Sequence, residues 1–464
     1  MRQFDTPIND MLAICYVNDD TPVIRDMARL ATVEFKGRIF MRHILLAATA
    51  FATTLISAPA FAQTVTFWQF STNPNDIAAW EGIIEAFEAS HEGIDVVMEI
   101  VPWSEQQQRL VTALTTGGLP DVSMLGNNVV AQFQAIGALA PLDDAFAAYD
   151  AEHGTDVAAD IWPGDRGYYN LGGQWWASPI AVETRALYYR KDLFEQAGLD
   201  PNSPPETWEE LRATAKTLTE GTPDGTYGIG LSTSLDYFTV HNFMSAYLGY
   251  GARMLADDGT CGFNSPEFKE ALSVYTGIAL DGSTHPDAAS MDGSTFQRGF
   301  LDGRYGMILM HPSLYRDLVT EQPEWLDQVD IAKVPAGPAN RSGFLGGWPL
   351  VMWDASEAKE AAGQFIMFAT HGEAFKELAV AGGFIPGSIS LAQGEPWTEF
   401  PYPLFVEQLQ DARPYQYPSE AIAQMGQLEV DTIQKAVQAV ALGQKDVDQA
   451  ASDLCTDINT VLAR

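Results

Sequence analysis

Between residues 64 and 135 the chain alternates two hydrophobic periods, and this alternation narrows the choice of fold more than any other feature. Residues 64–68, 94–101 and 120–125 are short apolar runs of strand length. Between the first two, Ile77, Trp80, Ile83, Ile84 and Phe87 recur at helical spacing, which puts Trp80 on a core face. A second helical stretch, ending at Gly117 and Gly118, separates the second run from the third. Strand, helix, strand, helix, strand in this order requires crossovers between strands that run the same way, hence an α/β sheet. Ligands of such sheets bind beyond the carboxyl ends of the strands. The loops 69–73, 103–106 and 126–128 should therefore share one rim.

Residues 174–194 read QWWASPIAVETRALYYRKDLF. Ile180, Ala181 and Val182 form one buried run and residues 186–189 form the next. Glu183 and Arg185 interrupt them, and a charge in such a place must face water, a partner or a ligand. A salt bridge between the two is the plainer reading. With 464 residues the chain exceeds one compact core, so this stretch is where it enters a second lobe.

Lys and Arg number 26 against 61 Asp and Glu, a net charge of −35. Residues 1–62 hold six of each sign, so the remainder keeps the full −35. Such a surface repels nucleic acid and anionic lipid. Residues 41–62 read as a secretory signal. Arg42 and His43 form a short basic start, residues 44–56 an apolar stretch too short to span a membrane, and Ala60, Phe61 and Ala62 an A-x-A cleavage site. The mature chain is then expected to begin at Gln63 with no lipid anchor, and residues 1–40 to be an extension upstream of a start at Met41. Export permits Cys261 and Cys455 to pair in the second lobe; two separate buried thiols are the other reading.

Several segments together resemble bacterial extracellular solute-binding proteins of family 1, the maltodextrin-binding-protein-like sugar carriers of ABC importers. Pro179-Ile180-Ala181-Val182-Glu183, followed by Tyr189-Arg190-Lys191-Asp192-Leu193, is similar to their inter-lobe crossing, which carries a sugar-binding acid. Phe67-Trp68, Phe87-Glu88, Pro102-Trp103 and Gly118-Leu119-Pro120-Asp121-Val122 occur in the family's order. So does the helix start Pro205-Glu206-Thr207-Trp208, whose Thr207 and Glu210 form a capping box with Trp208 packed locally. Gly346-Gly347-Trp348 resembles the cleft-lining G-G-W loop. Where relatives place an aromatic, an acid and an arginine after the third strand, this chain has Leu125, Asn128 and Val129. Ser388 replaces a usual arginine, and the family's pocket aromatic falls on Ser313, with His311 and Tyr315 nearby.

The resemblance implies a two-lobed periplasmic-binding-protein fold (type II), each lobe a mainly parallel sheet flanked by helices, with the ligand cleft between them. Lobe I would comprise 63–181 and 348–412, and lobe II 186–343 and 414–464, with hinges near 181–185, 343–347 and 412–414. It implies a periplasmic, soluble, monomeric carrier that closes on a sugar, a glucoside or oligosaccharide, and delivers it to permease subunits in the inner membrane. No cofactor and no metal are implied.

A sugar presents a ring of hydroxyls and two apolar C–H faces, so its site needs planar polar groups and aromatic rings. The polar candidates are Gln69, Ser71, Asn127, Asn128, Glu183 and His311. Trp103, Trp175, Trp176 and Trp348 are the stacking candidates, with one of Trp175 and Trp176 facing the cleft, and Gly346 and Gly347 allow close backbone approach. A secreted glycoside hydrolase would also use carboxylates and tryptophans, and a carrier of a polyol or glycerol phosphodiester is a further alternative. Against catalysis, the chain has no G-x-S-x-G, H-E-x-x-H, phosphate loop or C-x-x-C, and its seven histidines show no metal-ligand spacing.

Overall fold

A computed structural model describes residues 63–414 and 422–463. The expected upstream extension and secretory signal lie outside the described residues.

Strand β1 (Gln63–Gln69) leads through a helix, Pro74–Ser90, into β2 (Ile94–Ile100), and a second helix, Gln106–Thr116, into β3 (Val122–Met124). Asn73 accepts a hydrogen bond from Asn75 N, capping the first helix, and Gly117 ends the second in the left-handed conformation at φ 77°. Trp80, 1 % exposed, packs on Phe67. The chain continues through β4 (Leu139–Ala140) and a small hairpin of β5 (Asn170–Leu171) and β6 (Gln174–Trp175) into β7 (Ser178–Glu183). It then passes to β8 (Ala186–Arg190), β9 (Tyr227–Gly230), β10 (Tyr305–Met310) and β11 (Val329–Ala332), and returns in β12 (Gly346–Trp353) and β13 (Ile385–Pro386).

Two sheets result. The first has the order β13-β7-β12-β3-β1-β2, with β4 also on β12; the second has the order β11-β8-β10-β9. Helices cover both, as an α/β fold of two lobes requires. The expectation of mainly parallel pairing needs correction. β1 runs parallel to β2 and β3, and β9 to β10, but every pairing of β12, β7 or β8 is antiparallel. The reason is connectivity: strands that carry the chain from one lobe to the other enter each sheet against the direction of its βαβ units.

β7 ends in the first sheet at Glu183 and β8 begins in the second at Ala186, so Thr184 and Arg185 form one crossing. The return crossing and the last lie beside it. Leu345 N donates to Arg413 O and Arg413 N to Gly343 O, both at 3.1 Å. The Gln408 amide ties these passes together, donating to Thr184 Oγ1 (3.2 Å) and Arg185 O while accepting from Val334 N (2.8 Å). Register also shifts two expected borders by about two residues, because β7 stays in the first sheet to Glu183 and β12 joins it at Gly346. Helix Tyr402–Leu409, expected in lobe I, packs Phe405 on Tyr188 of β8 and so sits against lobe II.

In the second lobe Thr207 and Glu210 make the reciprocal capping box, and Trp208 is fully buried against Tyr275. Cys261 and Cys455 are bonded, with an S–S distance of 2.07 Å, tying a loop to the final helix Val447–Leu462. Among the described residues no helix is long and apolar enough to cross a membrane.

Candidate functional site

A cavity of about 710 Å³ opens between the two sheets, within the size range of small-molecule sites. From the first lobe its wall takes Trp103 and Gln106, the turn Gly126-Asn127-Asn128, Glu183, and Gly346-Gly347-Trp348. The second lobe contributes Asp236, Tyr237, Phe238, His241, Asp292, Gln297 and His311, while Arg185 and Phe344 come from the crossings.

The fold delivers these groups for local reasons. Trp103 and Asn127 each begin a 3-10 turn immediately beyond the strand rim, as expected for parallel β-α units. Gly347 faces Val182 across the β7–β12 pairing, where an added Cβ would lie 2.5 Å from Ala181 O, so only glycine permits this approach. Trp348 follows at a bulge and forms an aromatic wall with Trp103 (ring centroids 6.4 Å apart) and Phe384 (4.8 Å). In the second lobe, Asp236 and Asp292 cap the helices Tyr237–Gly249 and Gly293–Leu301, whose N-termini open onto the cavity.

The electrostatic centre is Glu183 with Arg185, 3.3 Å apart and both buried. Burial by itself would push the Glu183 carboxyl up. The Arg185 guanidinium, aided by His311 and His241, outweighs this and holds it below the usual carboxylate range. Glu183 is therefore a charged acceptor at neutral pH. The His311 imidazole is pushed down to about 4, by burial first and then by Arg185, and is neutral there. Its Nδ1 lies 2.5 Å from Ser313 Oγ.

Three lining side chains hold buried donors that find no hydrogen-bond partner among the described residues: Gln106 through Nε2, Asn127 through Nδ2, and Arg185 through Nε and its NH1 nitrogen. NH1 is in ion-pair contact with Glu183 without hydrogen-bond geometry. An unmet buried donor costs about 1–3 kcal/mol, so a ligand oxygen placed here would be favoured.

Of the residues singled out from the sequence, Trp103, Asn127, Asn128, Glu183, His311, Gly346, Gly347 and Trp348 come together on this wall. Gln69, Ser71, Trp175 and Trp176 do not, Trp175 being buried against Phe146. Gln69 is fully buried and its amide braces the following turn, donating to Ser71 O and accepting from Ser71 N, both at 2.7 Å. Ser71 Oγ donates to Asp76. That loop acts at one remove, with Phe70 packed 5.3 Å from Trp103. Trp176 follows the β5–β6 hairpin and donates its Nε1–H to Leu171 O at 3.1 Å. Tyr315 packs on Phe400. Ser388, in place of the family's arginine, bonds Asp160.

Sequence reasoning missed His241, Tyr237, Asp236, Asp292, Gln297 and Phe344. The only local signal was the capping aspartates, which mark helix starts without saying what those starts face.

Comparison with known proteins agrees with this geometry. Residues 71–373 match the family described as bacterial extracellular solute-binding protein. A binding protein of Brucella abortus is 29 % identical over 389 residues, covering 83 % of this chain and 90 % of the relative. The mannitol-binding protein of Pseudomonas aeruginosa is 28 % identical over 331 residues, covering 70 % and 72 % respectively. Among solved structures, an ABC transporter solute-binding protein from Thermotoga lettingae bound with α-D-tagatose superposes with a TM-score of 0.74 at 25 % identity, covering 86 % of this chain and 100 % of that one.

Proposed function

The chain belongs to the bacterial extracellular solute-binding proteins, and from that premise we propose that it captures a neutral sugar or polyol between its lobes and hands it unchanged to an ABC-importer permease. One observation carries the reading: buried donors of Asn127 and Arg185, without partners, lie on the same cavity wall as an ionised acceptor, Glu183, and the faces of Trp103 and Trp348. Hydroxyl oxygens satisfy the donors and hydroxyl hydrogens the carboxylate. The C–H faces lie on the rings.

Charge argues against an anionic ligand. Among the described lining residues Arg185 is the sole guanidinium and already faces Glu183. The two helix N-termini that would attract a phosphate are capped by Asp236 and Asp292. The relatives that bind mannitol and tagatose fit the same chemistry.

The mechanism is closure. The three adjacent crossings serve as hinges, and a ligand that touches both lobes favours the closed form only through contacts the open form lacks. The closed protein is what the permease recognises. On this reading residues 41–62 direct export, and the mature chain works in the periplasm as a monomer that performs no chemistry.

The test is calorimetric titration of the purified mature chain with D-mannitol, D-tagatose and a panel of mono- and disaccharides, with an assay for released reducing ends alongside. Saturable binding with intact ligand recovered is the expected result. Failure of every polyhydroxyl compound to bind, or turnover of one, would sink the proposal.

A further inference from the structure

Residues 425–433 belong to a segment that the lobe boundaries read from sequence assign wholly to lobe II. The structure places it differently. Helix Met425–Leu428 packs against the first-lobe turn Asn127–Val129 and helix Val130–Ala135. The approach is close: a Cβ on Gly426 would lie 2.8 Å from Val129 Cγ1. The next residues, Glu429–Ile433, wind as a single π turn and pack on the second-lobe helix Tyr237–Gly249. π turns inside helices recur at functional positions.

Glu429 stands at the junction, 1 % exposed. Its Oε2 accepts from Asn128 Nδ2 at 2.5 Å, and its Oε1 lies 3.2 Å from His241 Nε2. Asn128 and His241 line the cavity from opposite lobes. The His241 ring stacks on Phe344 with centroids 4.1 Å apart, and its Nδ1 meets an Arg185 NH2 nitrogen at 3.0 Å. Arginine can only donate, so Nδ1 accepts, and the ring hydrogen sits on Nε2 facing the carboxylate. Donors thus converge on Glu429 from both sides. A carboxylate accepts from both; a glutamine would turn a donor toward one of them.

We propose that Met425–Ile433 is a strap between the lobes, and that Glu429 is the positioning residue by which it holds Asn128 and His241 in place before ligand arrives. The strap acts on the hinged cleft described above and rests on that reading. Its effect is preorganisation: a cleft already held near its closed geometry loses less on binding.

The test compares the native mature chain with Glu429→Gln and Asn128→Ala. Ligand-free small-angle scattering should give a larger radius of gyration for both variants than for the native protein. Titration with D-mannitol or D-tagatose should show Glu429→Gln binding about ten-fold more weakly or worse, the range for losing a charge-assisted hydrogen bond. In the Asn128→Ala background the same substitution should add much less, because the two act through one contact. If Glu429→Gln fails to fold, Asn128→Ala alone carries the scattering test. Superimposable ligand-free scattering, or effects that simply add, would overturn the strap. If neither probe binds the native chain, the titrations use whichever sugar of the panel does; if none binds, the ligand reading fails, while the scattering still decides the strap.

Discussion

The disulfide between Cys261 and Cys455 gives the sharpest quantitative prediction. It closes a loop of 194 residues in sequence. A cross-link removes conformations from the unfolded chain, and for a loop this long the chain-entropy estimate is ~5 kcal/mol at 25 °C, against a measured range of about 2–4 for most native bonds. The structure keeps the two segments docked by other means. Cys261 N donates to Asn459 Oδ1 of the final helix at 2.9 Å, and a β-bridge between Leu255 and Cys261 holds the loop's own shape. Reduction should therefore destabilise without rearranging the fold. Taking about 3 kcal/mol, and about 2–4 °C per kcal/mol for a unit of 150–250 residues, the melting midpoint should fall by about 6–12 °C. The assay is intrinsic-fluorescence melting with and without a phosphine reductant, with the thiol count checked by alkylation and mass. The Cys261→Ser/Cys455→Ser protein should melt at the reduced temperature and ignore the reductant. Neither cysteine lines the cavity, so ligand affinity should hold. A fully reduced chain whose midpoint moves by less than about 2 °C would refute the argument that loop closure dominates here.

Three further outcomes follow from the site and its surroundings. Glu183→Gln should cost about 3 kcal/mol in urea melts, because it leaves the Arg185 charge buried without its counter-ion; the Glu183→Gln/Arg185→Met double variant should regain much of that stability yet stay unable to bind, and a double variant that binds normally would remove both from the site. Gly347→Ala should destabilise by about 1–3 kcal/mol and weaken ligand titration, since its Cβ must push Ala181 O aside; an unchanged titration would contradict the close approach. Asp165 is fully buried, neither carboxyl oxygen has a hydrogen-bond partner among the described residues, and burial pushes its carboxyl well up. Its folded pKa thus exceeds the unfolded one, so its contribution is intact below about pH 4 and is lost as pH rises toward the folded value. Asp165→Asn should flatten that decline in melts between pH 4 and 8; a parallel profile would show that Asp165 is not its source.

Much of the first lobe could be read directly. The switch between strand and helical periods from residue 64 to 125 placed β1, β2, β3 and their helices, because each is set by local spacing of apolar residues and by caps such as Asn73 and Gly117. The Thr207 and Glu210 pair was legible for the same reason. Gln69 shows where that kind of reading stops. A polar residue at a strand's carboxyl end looks like a ligand contact, yet its amide closes on Ser71 two residues away. Trp176 likewise lies off the cavity wall, beside a hairpin that sets its Nε1 against Leu171 O.

What the sequence by itself determined was therefore the α/β class, the two lobes, the crossing at Glu183 and Arg185, and the solute-binding-protein family. The tertiary structure alone decided the antiparallel pairings of the crossing strands, the cysteine bond, and the company Glu429 keeps with Asn128, 301 residues away. The physical reason is range. Periodicity and capping are settled within a few residues, whereas a buried carboxylate's partners depend on which surfaces the folded core presses together.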